Sequence, residues 1–124
     1  MTRRSSVPVV LMLCLVGARA ACAAPATSVH IEVNFLLGYV EGSGCEFERN
    51  GSWYASPAAQ EHLRTKYDAL VARDLIQSAE QFIDKAATES SLSGQPYRVR
   101  CQGGALMTSQ QWLRDELARL RSRP

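Results

Sequence analysis

Few residues in this chain have types that do chemistry, and they fall into three groups. Arg49, Arg98 and Arg100 are cations on segments that alternate apolar and polar side chains. Arg98 and Arg100 lie two apart and so share one face of a strand, while Arg49 has the parity of Cys45. Brought together at a sheet edge, the three would suit a carboxylate, a phosphate or an acidic partner. Pairing with Glu46 and Glu48 across the sheet competes with that use and is worth only tenths of a kcal/mol to ~1 kcal/mol. The second group is the polar run from Ser90 to Tyr97, where Ser91, Ser93 and Tyr97 offer hydroxyls beside Gly94. Such a loop can hold an anion through hydroxyls and free amides. The third is His62. A histidine beside a carboxylate such as Glu61 could act as a general base. Glu61 does not face it, however, because adjacent helical residues point about 100° apart. No Gly-x-Ser-x-Gly elbow and no Ser-x-x-Lys motif supports a serine nucleophile.

Metal and cofactor chemistry has no motif. Cys-x-x-Cys and paired histidines at i, i+4 are both lacking. Glu46 and Glu48 read as a solvated strand face. Gly103-Gly104 reads as a turn, because the Lys-Ser/Thr of a phosphate loop does not follow. The sequence calls for no cofactor and no metal.

The elements that must position these groups can be read from spacing. A helix is expected from about Ser28 to Glu41, with Val29, Val33, Leu36, Leu37 and Val40 inward, Ile31 and Phe35 widening that face and His30 solvated. Gly42 and Gly44 end it. Cys45 to Arg49 alternates as a strand, and Asn50-Gly51 is the strongest two-residue hairpin signal, with Trp53 and Tyr54 on the return. Ser56 as N-cap and Pro57 at the first helical position open a second helix that buries Ala59, Leu63, Tyr67, Leu70 and Val71 and ends near Arg73. Ser78 and Gln81 fit a capping box for a third helix, with Ala79, Phe82, Ile83 and Ala86 inward. Tyr97 to Cys101 is a second alternating strand. A turn at Gln102–Gly104 leads to a short return strand, Ala105 to Met107. A last helix begins at Thr108 or Ser109 and buries Trp112, Leu113, Leu117 and Leu120, with Arg119, Arg121 and Arg123 near its C-terminus, where the macrodipole favours cations. The expected architecture is α+β: about four helices packed with a small antiparallel sheet of two short hairpins.

The N-terminus carries a different signal. Arg3-Arg4, an apolar run from Val7 to Val16 broken only by Pro8, and small residues up to Ala24 form an export signal with cleavage after Ala20 or Ala23. The apolar run is about half the ~20 residues of a permanent membrane span. A lipid anchor on Cys22 would want a bulky apolar residue three positions upstream, where Arg19 stands. The expected organisation is therefore a cleaved signal over residues 1–23 and one globular domain over 24–124, periplasmic or secreted. Cleavage removes Arg3, Arg4 and Arg19 from 14 basic residues and none of the 12 acidic ones, so the net charge moves from +2 to −1. That argues against binding to nucleic acid, which needs clustered positive charge. Cys14 leaves with the signal, Cys22 leaves too if cleavage follows Ala23, and Cys45 with Cys101 remains as an even pair in an oxidising compartment, expected to be bonded. Their strands would then be neighbours.

Gly44-Cys45-x-Phe47-x-Arg49-Asn50-Gly51, His62-Leu63-Arg64-x-Lys66, Ala79-Glu80-x-Phe82-Ile83, Ser90-Ser91-x-Ser93-Gly94-x-Pro96-Tyr97-x-Val99 and Trp112-Leu113 together resemble the YfeK-like family of small exported bacterial proteins of unknown function. The resemblance covers almost the whole chain after the signal. It implies a single exported domain with no assigned activity and supplies no catalytic residues. Gln95 stands where lysine is common in the family, so the resemblance implies no cation at that point of the serine loop. The residues favour a binding or interaction module for a periplasmic protein or small anionic ligand, contacting it through Arg49, Arg98, Arg100, Ser91, Ser93 and Tyr97. The alternatives are a small envelope hydrolase using His62 and a loop serine, and a structural or stress-related envelope protein.

Overall fold

The computed structural model describes residues 26–124 and, before them, only Thr2, Pro8, Val10 and Gly17. Arg3-Arg4, Cys14, Cys22 and the two cleavage sites lie outside the described residues. Eight elements follow in chain order: α1 (Thr27–Gly42), β1 (Glu46–Arg49), β2 (Ser52–Ala55), α2 (Ser56–Ala72), α3 (Ala79–Ala86), β3 (Arg98–Arg100), β4 (Met107–Thr108) and α4 (Ser109–Arg121). The four strands form one sheet in the order β2-β1-β3-β4, antiparallel throughout. The α+β class and the two hairpins expected from the sequence are both present.

The hairpins form for local reasons. Asn50 and Gly51 take φ of 50° and 81°, the double positive φ of the turn that matches strand twist. The longer pairing, β1 with β3, joins segments fifty residues apart. Its register sets Glu46 opposite Arg100, Phe47 opposite Val99 and Glu48 opposite Arg98. Cys45 and Cys101 stand just beyond one end of this ladder and are disulfide-bonded, with Cα atoms 4.3 Å apart. Because side chains alternate, Phe47 and Val99 point inward and are buried, while Glu46, Glu48, Arg98 and Arg100 point away.

Helices α2 and α4 cover the inner sheet face. Phe47 meets Trp112 edge-on with ring centroids 5.4 Å apart, and Trp112 stacks on Tyr39 of α1. Phe82 of α3 lies edge-on to Tyr67 of α2. Leu36, Leu37, Ile76, Ile83 and Leu113 are fully enclosed beside them. Arg121 at the end of α4 donates to Glu32 of α1 and to Glu80 of α3, tying three helices at the surface. That guanidinium holds both carboxyls below the ordinary range.

Caps stop and start the helices, partly as the sequence implies. The Ser78 hydroxyl accepts from the Gln81 amide at the start of α3, and Thr108 accepts from Gln111 at the start of α4. Three local readings are corrected. Ser56 is not an N-cap: Ala55 holds that position, and the buried Ser56 hydroxyl donates to the Glu41 carbonyl, joining the end of α1 to the start of α2. Ile31 does not widen the core face but is exposed, since the core stripe of α1 stays narrow. His30 is not solvated; its Nδ1 pairs with the Tyr67 hydroxyl at 2.6 Å. Helix α2 ends in a motif no glycine announces. Asp74 takes φ of 60°, its amide bonds to the Val71 carbonyl, and the Leu75 amide bonds to the Leu70 carbonyl. The chain then turns inward and buries Ile76.

The disulfide closes a long loop, its cysteines standing 56 positions apart in sequence. In the chain-entropy account such a link contributes about 4 kcal/mol. Urea unfolding of the Cys45→Ala, Cys101→Ala double variant is expected to show a loss of that order. The wild-type protein in reductant should lose as much. Identical midpoints with and without the bond would disprove its stabilising role.

Candidate functional site

Helix α2 supplies one wall of a cleft. Ala58, His62 and Lys66 recur every four residues and so form a row on one face. Ala59 and Leu63 form the adjacent, deeper row and are buried. The opposite wall comes from the β1–β2 hairpin, with Phe47, Arg49 and Tyr54, and from Tyr97, which precedes β3. Continuing the β1–β3 register one step past Glu48 and Arg98 brings Arg49 across from Tyr97. Tyr97 is fixed by its backbone on both sides: its amide donates to the Thr88 carbonyl and its carbonyl accepts from the Ser109 amide.

The polar atoms of these walls converge on one imidazole. The Arg49 guanidinium donates to Nδ1 of His62. Since a guanidinium has no acceptor, Nδ1 must be unprotonated and the proton of the neutral ring sits on Nε2. Nε2 in turn lies 3.2 Å from the Tyr97 hydroxyl and donates to it. Lys66 also donates to that hydroxyl, at 3.2 Å, and to the Glu89 carbonyl. The Tyr97 oxygen therefore receives two donors. Its own hydrogen meets no acceptor among the described residues.

The site is cationic. Burial, then Arg49, then Lys66 hold the His62 imidazole below its ordinary value. Burial also lowers the Lys66 ammonium; nearby Glu89 opposes this and Arg49 adds to it. Burial raises the Tyr97 phenol, against a smaller opposite effect of Arg49. Neither Arg49 nor Lys66 forms an ion pair with a carboxylate among the described residues. Arg49 lies instead over the Tyr54 ring, 4.7 Å from its centroid.

The cleft has two lobes that share Arg49, Tyr54, His62 and Tyr97. The inner lobe, about 160 Å³, adds Phe47, Glu48, Ala58, Ala59, Leu63 and Ser109. The outer lobe, about 350 Å³, adds Asn50, Ser52, Lys66, Ser90, Ser91 and Leu92.

Of the residues singled out from the sequence, the structure gathers Arg49, His62, Ser91 and Tyr97 in this cleft and leaves Arg98 and Arg100 outside it. The alternation of β1 decides this: Arg49 follows Glu48 and so points to the other sheet face. There Arg98 grips Glu48, with a closest contact of 2.6 Å, and Arg100 pairs with Glu46 at 2.8 Å while lying over Trp53. The three arginines form no common patch. Ser93 donates to Asn50 Oδ1, and Asn50 Nδ2 donates to Ser90. Ser90 also receives the Leu92 and Ser93 amides. Ser90 and Ser93 thus fasten the loop to the hairpin turn. Both His62 nitrogens face Arg49 and Tyr97, so no serine hydroxyl is bonded to the imidazole. Lys66, Tyr54 and Ala58 are functional candidates that the sequence reading passes over; the four-residue spacing from Ala58 through His62 to Lys66 was the available signal. No group of three or more His, Cys, Asp or Glu side chains among the described residues is arranged to hold a metal ion.

An α+β fold with a cation-lined cleft is the class that fold and site define. Residues 27–121 match the Family of unknown function (DUF5329), and the chain belongs to that family. It is also similar to the uncharacterized protein YfeK of Salmonella typhimurium, 47% identical over 51 residues, which is 41% of this chain and 41% of that protein. The aligned region thus spans about two fifths of that relative. The YfeK-like resemblance carried by the sequence motifs is borne out. No solved structure matches the chain.

The lowered His62 value has a consequence for stability. Below about pH 6.5, the ordinary histidine value, the unfolded chain takes up a proton that the folded ring resists. Stability is therefore expected to fall as the pH drops from there through the folded-state value. His62→Gln should show less of that loss. Melting temperatures of both proteins between pH 7.5 and 5 measure it, and parallel curves would refute the assignment.

Proposed function

We propose that this is an exported binding module that captures a small anionic ligand in the cleft between α2 and the β1–β2 hairpin. The observation that carries the reading is the convergence of Arg49, Lys66 and His62 on one opening with no carboxylate paired to either Arg49 or Lys66. Elsewhere in the domain, Arg98, Arg100, Arg114, Arg119 and Arg121 each hold an acidic partner. A cation held among partly buried donors gains most from an anion that supplies the missing charge. The free hydrogen of Tyr97 favours the same class of guest, because it needs an acceptor. A carboxylate or phosphate oxygen at this point would accept from Tyr97, Arg49 and Lys66 together.

Export is supported by the arginine-led apolar segment before the domain and by the paired cysteines, which belong to an oxidising compartment. Among the described residues no helix is long and apolar enough to cross a membrane. The intact mass of protein recovered from the native host is expected to lack the first 20 or 23 residues. A full-length chain would remove the exported part of the reading.

The binding part is tested with inorganic phosphate and with acetate as separate probes. Amide and side-chain NMR titrations at pH 7 are expected to give saturable shifts at Arg49, His62, Lys66 and Tyr97. Arg49→Ala and Lys66→Ala should each weaken the interaction by about tenfold, the scale of a charge-assisted hydrogen bond. Arg98→Ala should bind like wild type. The bound anion should raise the His62 titration midpoint, since an opposite charge favours the imidazolium. Shifts spread evenly over the surface, or an Arg98→Ala loss equal to that of Arg49→Ala, would overturn the site.

A further inference from the structure

The inner lobe does more than complete the cleft's outline. Its walls are mainly Phe47, Ala58, Ala59, Leu63 and the ring of Tyr54, with Ser109 and Glu48 also lining it, and it opens onto the same Arg49, His62 and Tyr97 groups that gather the positive charge. Two alanines in consecutive helical positions, Ala58 and Ala59, face the hairpin where larger side chains would fill the space. The resulting volume, about 160 Å³, is close to the roughly 150 Å³ that suffices for a benzene molecule in an apolar cavity. Glu48 reaches this lobe, but Arg98 engages both of its oxygens from the outer sheet face. The lobe therefore offers dispersion contacts and no free acid. A bare phosphate or acetate would leave it unfilled.

Deepening the reading above and resting on it, we propose that the ligand is amphipathic: a carboxylate or phosphate head joined directly to one apolar group the size of a benzene ring. The head sits at the junction of the lobes, against Arg49, Lys66 and the Tyr97 hydroxyl. The apolar group enters between Ala58, Ala59, Leu63 and Phe47. The junction sets the architecture of the molecule, since the four shared residues leave no spacer between charge and ring. Further polar substituents on the head would face Asn50, Ser52 and Ser91 in the outer lobe.

The test compares matched probes by calorimetry: phenyl phosphate against inorganic phosphate, and benzoate against acetate. Burying a ring of this size is expected to tighten each aromatic member by at least about tenfold over its small partner. The phosphate and carboxylate pairs also show which head the cations prefer. Ala58→Phe fills the inner lobe from an exposed helical position and leaves the cations untouched. It should abolish the aromatic preference, bringing phenyl phosphate to the affinity that the same variant shows for inorganic phosphate. Nuclear Overhauser contacts from the phenyl ring to the Leu63 methyls, expected in wild type, give a readout that does not depend on how the variant folds. If phosphate binds through Arg49 but phenyl phosphate binds no tighter, the amphipathic inference fails and the anion site stands. If neither phosphate probe binds in an Arg49-dependent way, both fail. An aromatic preference that survives Ala58→Phe without Leu63 contacts places the ring elsewhere and also overturns the inference.

Discussion

The antiparallel register between β1 and β3 fixes the relation between the two halves of the domain. The sulfur bridge from Cys45 to Cys101 stands at one end of that ladder, and Arg49 with Tyr97 stands at the other. A slip of β1 by one residue would turn Phe47 toward water and Glu48 toward the core. It would also carry Arg49 to the outer face, away from His62. Two chain segments separated by more than fifty residues are thus held in the only pairing that builds the cleft. Trp112 packs edge-on against Phe47 behind this ladder, a contact that depends on Phe47 facing inward.

Charge is sorted by the two faces of the sheet. On the outer face, Glu46, Glu48, Arg98 and Arg100 neutralise one another across the strands. On the inner face, Arg49 has an imidazole and an aromatic ring for company instead of a carboxylate. A guanidinium fully engaged by an acid has little left to offer an anionic guest. One that merely donates to a neutral ring keeps most of its capacity, because the remaining N–H groups of its planar fork are uncommitted. The contrast between Arg98 and Arg49, two residues of the same type on adjacent strands, comes from strand parity alone.

Much of the fold is legible in the sequence because its punctuation is local. Asn50-Gly51 specifies its turn, Ser78 and Thr108 cap their helices, and Cys45 with Cys101 names the long-range pairing. The sequence is silent where a side chain answers to a distant partner. His30 finds Tyr67, and Ser56 finds a carbonyl at the end of the preceding helix. Asp74 adopts a left-handed turn that glycine usually marks. The site divides in the same way. Arg49, His62, Ser91 and Tyr97 stand out by type, and Ala58 and Lys66 share with His62 a helical row that spacing can show. That the imidazole should sit between a guanidinium and a phenol follows only from the β1–β3 pairing, 13 residues before His62 and 35 after it.

The covalent tie also divides the domain mechanically. Every cleft residue, from Phe47 through Tyr97, lies in the segment enclosed by Cys45 and Cys101, apart from Ser109. Helices α1 and α4 lie outside it, one on each side. Tension applied at the two ends of the domain would travel through the sulfur atoms and bypass the enclosed chain. The terminal helices could be peeled away under such a pull, while the hairpin, α2 and the serine loop stayed within a ring that cannot be drawn out straight.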